Sequence, residues 1–132
     1  MDTAHLIDTS VFVAFEQDRP VSITPPGDGR ISVMTLTELG VGLRRARDDD
    51  SRHAREATLA SARQFIALAF DERVSDQLVG ILSAAGARTR RAGLADAIIA
   101  ATALAHDLAV WTQDDDFDVL QELAPELRLV RA

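Results

Sequence analysis

Four carboxylates interrupt apolar stretches of this chain where solvation does not account for them. Asp8 closes "HLID", Glu38 sits in "TLTELGVGL" and Asp114 lies two residues past "AVWT". Asp96 is the only charge before the final residue of "LADAIIAATALAHD", in which ten residues are Leu, Ile or Ala. A helix so uniformly apolar is expected to be buried, and an unpaired carboxylate within it is costly. If such acids converge, carboxylates about 4 Å apart repel by about 4 kcal/mol at an effective dielectric of about 20, so the set needs protons or cations. An all-oxygen donor set without His or Cys selects the hard ions Mg2+ or Mn2+, which keep waters and bind phosphates. The chemistry that follows is phosphodiester hydrolysis by metal-activated water, with the metals stabilising the leaving oxygen.

Each acid also has an ordinary structural role open to it. Asp8 can cap a helix within "DTS", Asp96 can cap from a first turn, and Asp114 can make an Asx-turn. Thr35 and Glu38 in "TLTE" stand at the spacing of a capping box. That role leaves Gly40 and Gly42 unexplained, since each weakens a helix by about 1 kcal/mol. Close approach by the sheet, a partner chain or a substrate would explain them. What the four separate roles do not explain is why all four acids fall near one edge of the fold.

That edge is set by the elements. "HLID" suits a short buried parallel strand, and Thr9 or Ser10 can cap a helix through about Gln17. "DRPVSITPPGDGR" is loop, rich in Pro and Gly. A strand "RISVM" leads to a helix from Thr35 to Arg47, ended by Asp48 to Asp50, and another helix runs from Ser51 to about Leu68. "ALAFD" suits a short strand. A helix from Val74 to Ala85 carries Val74, Leu78, Ile81, Leu82 and Ala85 on one face and stops at Gly86. A helix from Leu94 to Asp107 feeds the strand "LAVWT", a short helix near Phe117 to Leu123 and a last strand "RLV". Strands alternating with helices predict an α/β fold, a three-layer α/β/α arrangement around a mostly parallel sheet of four to five strands. Right-handed crossovers bring the carboxyl ends of the strands to one edge, where ligands bind.

The bulk composition narrows the classes. A length of 132 residues with 47% hydrophobic and 27% charged content suits one domain over residues 1–132. With no cysteine, disulfides, thiolate zinc sites and cysteine nucleophiles are excluded. All 14 basic residues are Arg, which excludes lysine amine chemistry and favours bidentate phosphate contacts. The net charge of −7 argues against a plain electrostatic grip on nucleic acid, although bound cations would offset part of it. No signal segment or membrane span is visible, so a soluble cytoplasmic protein is expected. His106 reads as a surface residue near a helix C-terminus, and His5 and His53 lack partners at triad spacing.

In this order and spacing, "LIDTSVFVAF", "ISVMTLTELGVGL" and "LADAIIAATALAHDLAVWTQDDDF" resemble the PIN domain ribonucleases, and in size and layout the VapC-type toxins of bacterial toxin–antitoxin pairs. The resemblance spans nearly the whole chain. It implies that Asp8, Glu38, Asp96 and Asp114 are catalytic metal-binding acids for Mg2+ or Mn2+. It gives Asp116 as an additional acid used in some members, and Ser10 and Thr112 as hydroxyls that orient carboxylates or water behind them. It also implies an RNA substrate, a homodimer and a small antitoxin partner. For RNA contact the candidates are Arg44, Arg45 and Arg47 after Glu38, and Arg88, Arg90 and Arg91 before Asp96.

The leading expectation is therefore a metal-dependent endoribonuclease of toxin type. The alternative is a non-catalytic module of the same fold that binds a protein partner or RNA. A phosphoryl-accepting receiver would need a lysine near its acids, and this chain has none. A flap-type DNA nuclease would need room for a helical arch. The two acidic triplets separate by context: Asp48 to Asp50 form a polar turn and helix cap, whereas Asp114 to Asp116 follow a buried strand, with Asp115 facing solvent.

Overall fold

Successive side chains of a strand point to opposite faces, so a strand buried on both sides must be apolar throughout. Leu6 and Ile7 meet that condition, and the computed structural model, which describes residues 3–86 and 93–132, places their strand at the centre of the molecule, with the buried His5 before them hydrogen-bonded to the Pro26 carbonyl. The elements in chain order are β1 (Ala4–Ile7), α1 (Thr9–Glu16), β2 (Asp28–Ser32), α2 (Val33–Arg44), α3 (Asp49–Ala62) and β3 (Ile66–Leu68). They continue with α4 (Glu72–Ala85), α5 (Leu94–Ala105), β4 (Ala109–Thr112), α6 (Asp116–Leu123) and β5 (Leu129–Arg131).

The five strands lie in the order β3-β2-β1-β4-β5, and every neighbouring pair is parallel. The three-layer α/β/α expectation holds. Leu6 and Val110, paired in register across β1 and β4, face a core built with Val74 and Ile81 of α4, Ile99 of α5 and Phe117 and Leu120 of α6. Their neighbours Ile7 and Trp111, also in register, face the other core with Val11 and Phe12 of α1, Leu39 of α2 and Leu59 of α3. The chain builds outward from β1 through β2 to β3, then returns to add β4 on the opposite side. The carboxyl ends of β1 and β4 thus form the switch point at which open α/β sheets bind ligands.

Local capping differs from the expectation in instructive ways. Asp8 itself, not Thr9 or Ser10, caps α1, accepting a hydrogen bond from the Ser10 amide. The capping box at Thr35 and Glu38 does not form, because β2 ends at Ser32 and that serine caps α2, accepting from the Met34 amide. Thr35 and Glu38 are inside the helix, one turn apart on one face. Helix α3 stops at Ala62 rather than running on to Leu68, since Ile66–Leu68 pairs with β2 as the edge strand. Asp48 caps α3 through the Ser51 amide at 2.7 Å, and Asp49 and Asp50 lie in its first turn, as expected of a polar turn. His106 holds the expected place at a helix C-terminus and is only partly exposed there, with its Nε2 shielded and without a hydrogen-bond partner.

Two glycine positions contrast. A Cβ at Gly29 would lie 2.6 Å from Ile7 Cδ1 and 3.0 Å from the Phe65 ring, so a side chain there would force Ile7 and Phe65 to shift. At Gly40 and Gly42 nothing among the described residues outside their own helix lies within 4 Å of such a Cβ, which removes close approach by the sheet as their explanation. Gly40→Ala is therefore expected to stabilise the fold by about 1 kcal/mol through helix propensity alone. Urea denaturation checks this, and a destabilised variant would mean that the space beside Gly40 is filled.

Candidate metal centre

Asp8 follows the last residue of β1 and is 2% exposed. Its Oδ2 accepts hydrogen bonds from Ser10 Oγ at 2.6 Å, Thr112 Oγ1 at 2.8 Å and the Ser10 amide at 3.3 Å. Both hydroxyls also accept, Ser10 Oγ from the Gln113 amide at 2.9 Å and Thr112 Oγ1 from the Asp114 amide at 2.9 Å. These bonds staple the end of β1 to the end of β4 and aim the chain after Thr112 toward Asp8. They also commit one oxygen of Asp8 to the protein.

Glu38 reaches the same edge from the first half of α2. Its Oε1 accepts from Thr9 Oγ1 at 2.8 Å, and Thr9 Oγ1 lies 3.0 Å from the hydroxyl of the fully buried Thr35. The Thr35 and Glu38 spacing thus serves to hold Glu38 against α1 rather than to cap a helix.

Asp96 sits in the first turn of α5, whose N-cap Gly93 has φ +80 and offers no side chain to the helix end. Asp114 lies in the β4–α6 loop, and its Oδ1 accepts from the Asp116 amide at 2.9 Å, which presents Asp116 beside it. Asp96, Asp114 and Asp116 each bring a carboxylate oxygen within 4.8 Å of the others. Behind the loop, Arg131 of β5 donates to the Asp114 carbonyl at 2.9 Å and to Asp118 Oδ1. Asp115 points outward, its side chain 96% exposed.

The electrostatics record the crowding. Burial pushes the Asp96 carboxyl up to about 8, assisted by repulsion from Asp8, Asp114, Glu38 and Asp116. Burial also raises Asp8, against the lowering effect of its two hydroxyl donors, and raises Glu38, against Thr9. Asp116 is raised by desolvation and then by Asp114 and Asp115, while a hydrogen bond with the Asp96 carboxyl opposes this. No arginine forms an ion pair with Asp8, Glu38, Asp96, Asp114 or Asp116 among the described residues. Three oxygens at ligand spacing, two further acids within electrostatic range and no nitrogen or sulfur donor make a set that fits a hard divalent cation.

The family model described as PIN domain matches residues 5–123. The chain belongs to the PIN domain family. Within it, the chain is 35% identical over 119 residues to Ribonuclease VapC4 of Mycobacterium tuberculosis, covering 89% of this chain and 92% of that one. Ribonuclease VapC8 of the same organism is 42% identical over 101 residues, covering 74% of this chain and 88% of that one. A crystal structure of VapBC-5 from Mycobacterium tuberculosis, a member of the VapBC family of toxin–antitoxin systems, superposes with a TM-score of 0.81 at 33% identity, covering 98% of this chain and 99% of that one.

Against the expectations for this PIN chain, the closest trio holds Asp96 and Asp114 with Asp116, the acid given there as an addition. Asp8 and Glu38 couple to the trio electrostatically and lie outside its 4.8 Å spacing. Ser10 and Thr112 both contact Asp8. Arg44 ends α2 and Arg45 is its C-cap, whereas Arg88, Arg90 and Arg91 lie outside the described residues. Sequence reasoning missed Thr9, Thr35 and Arg131. "TLTE" did carry the signal for Thr35 as a residue one helical turn from Glu38, and nothing in "RLVRA" marked Arg131 as a brace.

Proposed function

We propose that this chain is a Mg2+- or Mn2+-dependent endoribonuclease, the toxin of a toxin–antitoxin pair. The observation that carries the reading is the convergence of Asp96, Asp114 and Asp116 at the carboxyl edge of the sheet, with Asp8 and Glu38 beside them and no arginine paired with these acids among the described residues. Asp96, Asp114 and Asp116 would hold the metal, with Asp8 and Glu38 completing the negative wall. When bound, the ion supplies Lewis-acid activation of water and neutralises charge on the phosphate.

The protein's own groups prepare the site. Ser10 and Thr112 hold Asp8 in one orientation, Thr9 holds Glu38, and Arg131 fixes the loop from behind. The Asp96 carboxyl retains its proton at neutral pH and hydrogen-bonds Asp116 until a cation takes over the charge balance. Cation uptake is therefore expected to expel about one proton, and apparent affinity should fall about tenfold for each pH unit below about 8. Calorimetric titration with Mn2+ in buffers of different ionisation enthalpy reads the proton directly. Binding that is independent of pH from 6 to 8 would refute the assignment of Asp96.

The names of the relatives support RNA as the substrate and a small antitoxin as the partner, because those proteins are called ribonucleases and members of toxin–antitoxin systems. Phe15 at 58% exposed, beside an apolar pocket of about 440 Å³ lined by Phe12, Phe65 and Trp111, offers the kind of surface such a partner covers. Exposed Val79 and Leu94 suit a homodimer contact in the same way. A cytoplasmic site of action follows from the substrate. The test is cleavage of bulk RNA by the purified protein with Mg2+ or Mn2+, together with growth arrest on expression without a partner. Robust cutting in excess EDTA would overturn metal dependence, and intact RNA with Mn2+ would favour a binding module.

A further inference from the structure

A cleft of about 460 Å³ opens between α1, α2 and α3, its lining including Thr9, Glu16, Glu38, Gly42, Arg45 and Arg55. We propose that this cleft carries the RNA backbone away from the acids, with Arg45 and Arg55 holding a phosphate that flanks the scissile one. The proposal rests on RNA being the substrate, and it adds where the strand runs and which residues hold it.

A polyanion approaching five mutually repelling carboxylates needs compensation close by, because the whole chain is acidic. Four of the eleven described arginines are already committed to carboxylates. Arg30, Arg73, Arg128 and Arg131 each lie within 4.0 Å of a carboxylate. Arg45 and Arg55 form no ion pair among the described residues, and both border a cleft that includes Glu38, an acid of the site. Arg55 is half-buried and donates through Nη1 to the Gly42 carbonyl. That single bond fixes its guanidinium at the cleft wall and leaves other N–H donors for a bidentate phosphate contact. Arg45, exposed at the C-cap of α2, adds a second fork. The open space at Gly42 now has a reason: any side chain there would project from a residue that lines the cleft.

The experiment measures a labelled RNA hairpin in two arms. Equilibrium binding is read in the cleavage-deficient Asp96→Asn background, and steady-state cleavage is read in the otherwise unaltered protein. Arg55→Gln keeps a donor for the Gly42 carbonyl while removing the charge, Arg45→Ala removes an exposed side chain, and Gly42→Leu fills the cleft with a better helix former. Each is expected to raise KM and weaken binding by about tenfold with kcat held within about twofold, and each arginine change should lower the slope of log affinity against log salt by about 0.7–0.9. Unchanged KM, affinity and salt slope in Arg45→Ala and Arg55→Gln would overturn the proposal, leaving the cleft to a protein partner. The binding arm needs no cleavage, so a protein that binds through these arginines and fails to cut defeats the nuclease reading alone.

Discussion

Asp96→Asn is expected to abolish metal-dependent RNA cleavage and, in the absence of divalent cations, to yield a more stable protein. The loss of activity should be about a thousandfold or more, equivalent to about 4 kcal/mol at about 1.4 kcal/mol per decade. The gain in stability arises because Asp96 faces Asp8, Asp114, Glu38 and Asp116 from a half-buried helix turn. Solvent screens part of that repulsion, so a gain of about 1 kcal/mol at pH 8 is expected. The sign with pH is defined. Folded Asp96 keeps its proton up to about 8, whereas the unfolded chain releases it in the ordinary carboxylate range. The cation-free wild type therefore loses stability as pH rises through that window, and the Asn variant does not. Saturating Mn2+ should reverse the ranking, since only the wild type is stabilised by binding it tightly. Thermal denaturation at pH 5 and pH 8, with and without Mn2+, reads all of this, and a wild type that is most stable at pH 8 without metal would contradict it.

Thr112→Val carries the second large effect, this time on stability and activity together. Thr112 is fully buried, donates to Asp8 Oδ2 and accepts from the Asp114 amide. Valine fills the same volume and satisfies neither group, so a loss of about 3 kcal/mol is expected. Cleavage should fall about 10–100-fold, because the carboxylate and the loop that Thr112 orients both lose a restraint. Thr112→Ser restores the hydroxyl and should recover most of the rate while giving up about 1 kcal/mol of packing. Equal rates for the Val and Ser variants would show that the hydroxyl does not position the site.

The layering of this fold was legible because its sheet is buried on both faces: "HLI" and "AVWT" admit no other role, and α5 announces itself by carrying almost no charge. The four acids were legible for the same reason, as carboxylates that no solvent-facing stripe explains. What stayed hidden was local competition. Ser32 and Thr35 are both good caps by type, and the pairing of β2 with β3 as far as Ser32 goes with the helix being capped there and starting at Val33. The closeness of Asp116 to Asp96 depends on how the loop after Thr112 folds back onto the Asp114 side chain, a tertiary event that spacing does not encode. Arg55 lies 17 residues from Glu38 in sequence, and its place by the cleft follows from α3 packing against α2, which no motif records.

The acids at positions 8, 38, 96, 114 and 116 are contributed by segments from both ends of the chain, and β1 pairs directly with β4, His5 opposite Ala109. Contacts so distant in sequence form late, after the closure of a long loop. A nascent chain still on the ribosome thus carries Asp8 and Glu38 without their companions. The chemistry assigned to this site needs the segment that carries Asp96, Asp114 and Asp116, so a cell making the protein has until that segment emerges to supply whatever restrains it.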